Sequence, residues 1–161
     1  MKKSIGVYIH IPFCISKCYY CDFNSFSNKN CLVEAYFDAL KKEIIINSER
    51  AAEYEVKTVF IGGGTPSSVD PKYIEYILEL CRKYYGLRDD AEISIEANPG
   101  TLSDIKLKTY KYIGINRLSI CLLYTSDAAD DLLCVDLGGR RIIKKKKRQH
   151  KSTHRKEFLQ L

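Results

Sequence analysis

Tyr8-Ile9-His10-Ile11-Pro12-Phe13-Cys14-Ile15-Ser16-Lys17-Cys18-Tyr19-Tyr20-Cys21-Asp22-Phe23 is an apolar strand that runs directly into three cysteines, spaced Cys14-x3-Cys18-x2-Cys21. Three thiolates on one short loop can each hold one iron of a cubane [4Fe–4S] cluster. The fourth iron then has no protein ligand, and an open metal position is where chemistry happens. A zinc site is the competing reading, with His10, Asp22 or Cys31 as the fourth ligand. Zinc ligands more often come as two paired sets separated by a longer loop, and no second CxxC accompanies this one. A buried-core role for the thiols does not fit, because Ser16, Lys17 and Asp22 surround them.

The rest of the chain bounds what such a loop can serve. At 161 residues, with 45% apolar and 29% charged residues, it reads as one globular domain with a sizeable core. The formal net charge of +6 is not a nucleic-acid signal when split by position: residues 1–120 carry 16 basic and 15 acidic residues, residues 121–161 carry 10 and 5. Seven cysteines form no regular pairing frame. The apolar start is too short for a signal peptide and contains His10 and Pro12. No run approaches the roughly 18 apolar residues of a membrane span. A reducing, cytoplasmic setting is expected, where clustered cysteines are metal ligands or catalytic groups rather than disulfides.

Outward from the cysteines, strand and helix alternate. Residues 4–11 read as a strand. Leu32, Ala35, Tyr36, Ala39, Leu40 and Ile44 recur at helical spacing and predict a helix over 31–49. Residues 56–61 are a β-branched strand ending at Gly62-Gly63-Gly64. Asp70 and Pro71 mark a helix start, Ile74, Ile77, Leu78, Cys81 and Tyr85 form its apolar stripe, and Gly86 ends it. Residues 92–96 alternate as a strand. Leu102, Ile105, Thr109, Tyr112 and Ile113 predict a third helix closed by Gly114, and a fourth strand begins at Arg117. This order predicts an α/β fold of βαβ units on a parallel sheet. No internal repeat is present.

Two further pieces belong with the thiols. Gly62-Gly63-Gly64-Thr65-Pro66 follows the second strand; it is neither a P-loop nor GxGxxG, and its glycines suit close backbone approach to a ligand. Glu96 ends the third strand, where open parallel sheets and barrels bind ligands. Tyr8 precedes the first thiol by six residues and Tyr20 lies between the last two, and aromatics so placed most often pack. Cys81 fits an inert core position, and Cys31 a bystander. His150 and His154 have metal-pair spacing but lack a third ligand.

With these residues in view, the chain resembles the radical S-adenosylmethionine (SAM) enzymes, whose signature is CxxxCxxC. Residues 4–120 are similar to the oxygen-independent coproporphyrinogen III oxidase-like branch through Tyr-Ile-His-Ile-Pro-Phe-Cys, Gly-Gly-Gly-Thr-Pro-Ser, Glu-Ala-Asn-Pro-Gly-Thr-Leu and Ile-Asn-Arg-Leu-Ser-Ile. Coproporphyrinogen oxidases carry a further cysteine just past the third. Asp22 and Phe23 stand there here, which favours the haem-chaperone group. The resemblance implies the N-terminal portion of a partial (βα)6 TIM-like barrel, cut after about three βα units. It implies a [4Fe–4S] cluster on Cys14, Cys18 and Cys21, with SAM chelating the open iron and one electron from the cluster splitting its sulfonium bond. Gly63, Gly64, Thr65 and Glu96 are implied as SAM contacts, with Tyr20 near the adenine and Tyr8 near the sulfonium. Further implications are haem and haem-accepting proteins as partners of the full-length protein, and a flavodoxin or ferredoxin as electron donor. Peripheral membrane association is compatible; nucleic acid is not a partner.

The pattern stops at Ile120, where the family continues Gly-Val-Gln-Ser and this chain reads Cys121-Leu122-Leu123-Tyr124. Residues 121–161 read as an unrelated basic tail resembling a translated transposase-type sequencing adaptor run into an A-rich stretch. The chain as it stands is expected to lack enzymatic activity. The edge of its fourth strand is expected to be bare.

Overall fold

The computed structural model describes residues 2–121 and the backbone of 156–160. The expected tail over 121–161 therefore lies outside the described residues, apart from Cys121 and that short segment. Strand β1 (Lys3–Ile11) is followed by helix α1 (Val33–Ile46), β2 (Tyr54–Gly63), α2 (Pro71–Tyr85), β3 (Leu87–Ala97), α3 (Asp104–Tyr112) and β4 (Arg117–Cys121). The strands lie in the order β1-β2-β3-β4 and pair in parallel.

The register explains why one face is covered and the other is not. Val7 lies beside Val59 and Val59 beside Ile93; Ile9 lies beside Ile61, Ile61 beside Ile95 and Ile95 beside Leu118. These rows join the core with Ile74, Ile77 and Leu78 of α2 and Tyr110 of α3. Alternate positions carry Tyr8 beside Phe60 and Phe60 beside Ser94, then Ser94 beside Arg117 and Glu96 beside Ser119. Successive strand residues point to opposite faces, so the second face is polar and aromatic and can line a lumen.

The predicted caps of α2 are present. Asp70 accepts from the Lys72 amide at 3.0 Å, Pro71 opens the helix, and Gly86 closes it at φ 61°, a left-handed conformation that glycine adopts without strain. Other boundaries shift. The third strand begins at Leu87 rather than 92, directly after Gly86. The first helix starts at Val33 behind a 3-10 turn and ends at Ile46, with a further turn over Ser48–Ala51.

Its buried face is centred on Phe37 and Ile44, with Val33, Tyr36 and Leu40 partly buried, while Leu32, Ala35 and Ala39 are exposed. The larger rings took the core side because they bury more apolar area than alanines do. The third helix is corrected in the same way. Ile113 is buried as expected, but Ile105 and Tyr112 are 79% and 85% exposed and Tyr110 is buried instead. The expected bare edge of β4 is also corrected: β5 (Lys156–Gln160) pairs with it antiparallel. An open strand edge offers unpaired backbone groups that an extended segment satisfies.

Candidate functional site

The cysteine loop is closed at its base. Phe13–Cys14 forms a short parallel bridge with Phe26–Ser27, and the Phe26 amide donates to the Pro12 carbonyl at 2.7 Å. Within the loop, the Cys21 amide donates to the Cys18 carbonyl at 3.1 Å. The Lys17 ammonium reaches across to the carbonyls of Phe23 and Ser25, both at 3.2 Å. His10 fastens the loop to β1. Its Nε2 lies 2.8 Å from the Asn24 carbonyl, which only accepts, so Nε2 carries a proton. In the neutral ring Nδ1 then accepts from the Tyr8 hydroxyl at 3.0 Å. The Tyr36 hydroxyl donates to the His10 carbonyl, anchoring α1 to the strand end just before the thiols.

The glycine loop packs against this strand end. The Gly64 and Thr65 amides donate to the carbonyls of Ile11 and Phe13, each at 2.8 Å. A Cβ on Gly64 would stand 2.7 Å from the Phe13 carbonyl oxygen and 2.9 Å from Cys14 Sγ, so only glycine allows this approach. Gly63 has φ 121° and donates its amide to Glu96 Oε2 at 3.0 Å. The Thr65 hydroxyl lies 3.5 Å from Cys14 Sγ and donates to it.

Cys14, Cys18, Cys21, Tyr20, Gly63, Gly64, Thr65 and Glu96 all line one cavity of about 680 Å³ at the C-terminal ends of the strands. Cys14 is buried; Cys18 and Cys21 are partly exposed. Burial, then a hydrogen bond with Cys18, pushes the Tyr20 hydroxyl up from its ordinary pKa. Tyr8 is not on the cavity wall: its ring stacks on Phe60 with centroids 6.1 Å apart and is 58% exposed. Among the described residues, no three His, Cys, Asp or Glu side chains are gathered closely enough to hold a single metal ion. A cubane takes its thiolates on different irons and needs no such convergence. Of the fourth ligands considered for zinc, His10 has both ring nitrogens bonded, Cys31 lies off the cavity, and Asp22 lines it.

Sequence reasoning missed the residues that join the glycine loop to the segment after β3. Ser67 is fully buried; its hydroxyl accepts from the Asn98 amide at 3.0 Å and pairs with the Thr101 hydroxyl. Thr101 in turn donates to the Asn98 carbonyl at 2.7 Å. Lys106 donates to the Ser67 carbonyl at 2.7 Å, and burial lowers its pKa. The serine in Gly-Gly-Gly-Thr-Pro-Ser was visible, but its partners lie 31 to 39 residues away.

The profile of the Radical SAM superfamily matches residues 8–160. The chain belongs to the radical SAM superfamily. The haem chaperone HemW of Buchnera aphidicola subsp. Schizaphis graminum is 44% identical over 117 residues, covering 72% of this chain and 31% of that protein. HemW of Escherichia coli (strain K12) is 42% identical over 117 residues, with the same coverage. A mitochondrial radical S-adenosyl methionine domain-containing protein 1 of Danio rerio is 34% identical over 115 residues, 71% of this chain and 26% of that protein. Among solved structures, the coproporphyrinogen III oxidase HemN of Escherichia coli, a radical SAM enzyme, superposes with a TM-score of 0.70 at 33% identity. That match covers 74% of this chain and 28% of HemN. This radical SAM chain thus spans about a third of its curated relatives, and its parallel βα units are a portion of the family's TIM-like barrel.

Proposed function

We propose that this chain is the cluster- and SAM-binding portion of a haem chaperone of the radical SAM superfamily. The observation that carries the reading is the single cavity at the strand ends that Cys14, Cys18, Cys21, Gly63, Gly64, Thr65 and Glu96 line together. Its volume of about 680 Å³ falls in the ~300–1,000 Å³ range of small-ligand sites.

The donor set suits a [4Fe–4S] cluster on Cys14, Cys18 and Cys21, with room beside it for SAM. When bound, these groups supply one-electron chemistry on a sulfonium. The chain's own part is to place them. Lys17 and His10 fix the thiol loop. Gly64 lets the second loop come against Cys14. Glu96 holds the Gly63 backbone and presents a carboxylate to a cationic ligand, and the Ser67 network fixes the distance between the glycine loop and the segment after β3. The HemW relatives support haem as a ligand of the full-length protein, with haem proteins as its recipients, and radical SAM membership supports a low-potential electron carrier as reductant. No helix among the described residues is long and apolar enough to cross a membrane.

A second reading, an oxygen-independent coproporphyrinogen III oxidase, is favoured by the likeness to HemN. Asp22 and Phe23 after the third thiol weigh against it. Anaerobic reconstitution with iron and sulfide should give a brown protein whose reduced EPR signal shifts on adding SAM. A colourless protein that retains zinc overturns the reading. Haem binding without coproporphyrinogen turnover in the full-length protein separates chaperone from oxidase.

A further inference from the structure

We propose that the Thr65 hydroxyl sets the reduction potential of the cluster by donating a hydrogen bond to the sulfur of Cys14. The inference rests on the iron–sulfur reading above and adds a role to a residue that the family resemblance assigns to SAM.

The contact is Thr65 Oγ1 to Cys14 Sγ at 3.5 Å, between residues 51 positions apart. A metal-bound thiolate only accepts, so the hydroxyl is the donor. The backbone that carries the hydroxyl is held from three sides. The Gly64 and Thr65 amides are bonded to the Ile11 and Phe13 carbonyls at 2.8 Å. Pro66 follows and keeps Thr65 out of the helical region; Thr65 has φ −138° and ψ 84°. Ser67 is locked to Asn98 and Thr101, and Lys106 holds its carbonyl. These contacts fix the Thr65 backbone beside Cys14, and its side chain turns the hydroxyl onto the sulfur.

Cys14 is the buried thiol of the three, whereas Cys18 and Cys21 are partly exposed. A hydrogen bond to Cys14 therefore acts where the local dielectric is low and water does not compete. A cluster held on Cys14, Cys18 and Cys21 would gain one electron from a low-potential carrier with no bond formed or broken, and part of the added charge would fall on these thiolate sulfurs. A donor aimed at one of those sulfurs stabilises the reduced form more than the oxidised form and raises the potential. Thr65 thus makes the cluster easier to reduce.

The test compares the reconstituted 161-residue chain with its Thr65→Val and Thr65→Ser variants. Each is titrated with dithionite without SAM, reading cluster absorbance and the EPR signal. Thr65→Val keeps the shape and removes the donor, so its midpoint should move to lower potential; Thr65→Ser restores the donor and should return towards the parent value. If Thr65→Val takes up no cluster, Thr65→Ala carries the same expectation. Equal midpoints for parent and donor-less variants at equal iron content overturn the proposal, as does a Ser variant displaced as far as Val. A parent chain that takes up no cluster overturns the iron–sulfur reading and this inference with it. A cluster that forms but is indifferent to Thr65 overturns this inference alone.

Discussion

Placing a methyl group on Gly64 is the sharpest probe of the site. Built on the present backbone, the new Cβ meets the Phe13 carbonyl oxygen at 2.7 Å, Cys14 Sγ at 2.9 Å and the Phe13 carbonyl carbon at 3.0 Å. Two of these three are backbone atoms, which cannot swing aside as a side chain can. The loop must retreat by roughly half an ångström, and overpacking of this kind costs about 1–3 kcal/mol. Retreat also stretches the Gly64–Ile11 and Thr65–Phe13 hydrogen bonds, each contributing about 1 kcal/mol. Gly64→Ala should therefore destabilise the chain by about 2–4 kcal/mol, a fall in Tm of roughly 10 °C for a domain of this size. Cluster uptake should fall with it, because the displaced thiol is one of the three proposed cluster ligands. Gly100→Ala is the control, since its added Cβ meets only Asn98 Oδ1, at 3.4 Å. Thermal unfolding of the apo chain and iron content after reconstitution are the readouts. A Gly64→Ala protein that melts with the parent and loads the same iron refutes the claim that backbone contact with Cys14 builds the site.

Lys17→Met should loosen the cysteine loop, since it removes a charged donor from two carbonyls, a loss of about 1–3 kcal/mol. Faster hydrogen exchange confined to residues 15–26 is the expected sign, and unchanged exchange contradicts it. Ser67→Ala leaves the Asn98 amide without its acceptor inside the protein, at a cost of about 1–3 kcal/mol in denaturant unfolding; an unaltered midpoint would show that the glycine loop and the segment after β3 are not coupled there. Alkaline pH should destabilise the chain through Cys81. Burial pushes this thiol from 9.0 up to about 12, so between these values the unfolded state loses a proton that the folded state keeps. Stability then falls as pH rises through that window, by about 1.4 kcal/mol per unit. Cys81→Ala should make this slope shallower in urea titrations at several alkaline pH values, and an identical slope counts against the assignment.

Residues adjacent in the chain were legible without coordinates. The strand that runs into Cys14, the cap formed by Asp70 and Pro71, the stop at Gly86 and the stripe of α2 all follow from backbone requirements that act within a few residues. Helix faces were less so. In α1 the expected Tyr36, Leu40 and Ile44 do face the core, but Ala35 and Ala39 were set beside them and Phe37 was missed; in α3 Ile113 is buried as expected, whereas Ile105 and Tyr112 were set inside and Tyr110 was left out. A periodic pattern tolerates rotation by one residue; only the shape of the facing sheet removes that freedom.

The sequence alone determined the chemistry on offer: three thiols at cubane spacing, a glycine run and a strand-end carboxylate, with βα alternation to carry them. Tertiary structure decided which of these meet. Glu96 reaches Gly63 across 33 residues and Thr65 reaches Cys14 across 51, whereas Tyr8, six residues from a thiol, lies off the cavity wall. Parallel strands joined by helical crossovers bring distant strand ends side by side, whereas Tyr8 shares the face of Glu96 but lies level with Ser94, two residues short of Glu96 at the strand end. Proximity at the site is therefore a property of sheet register, which no local stretch of residues encodes.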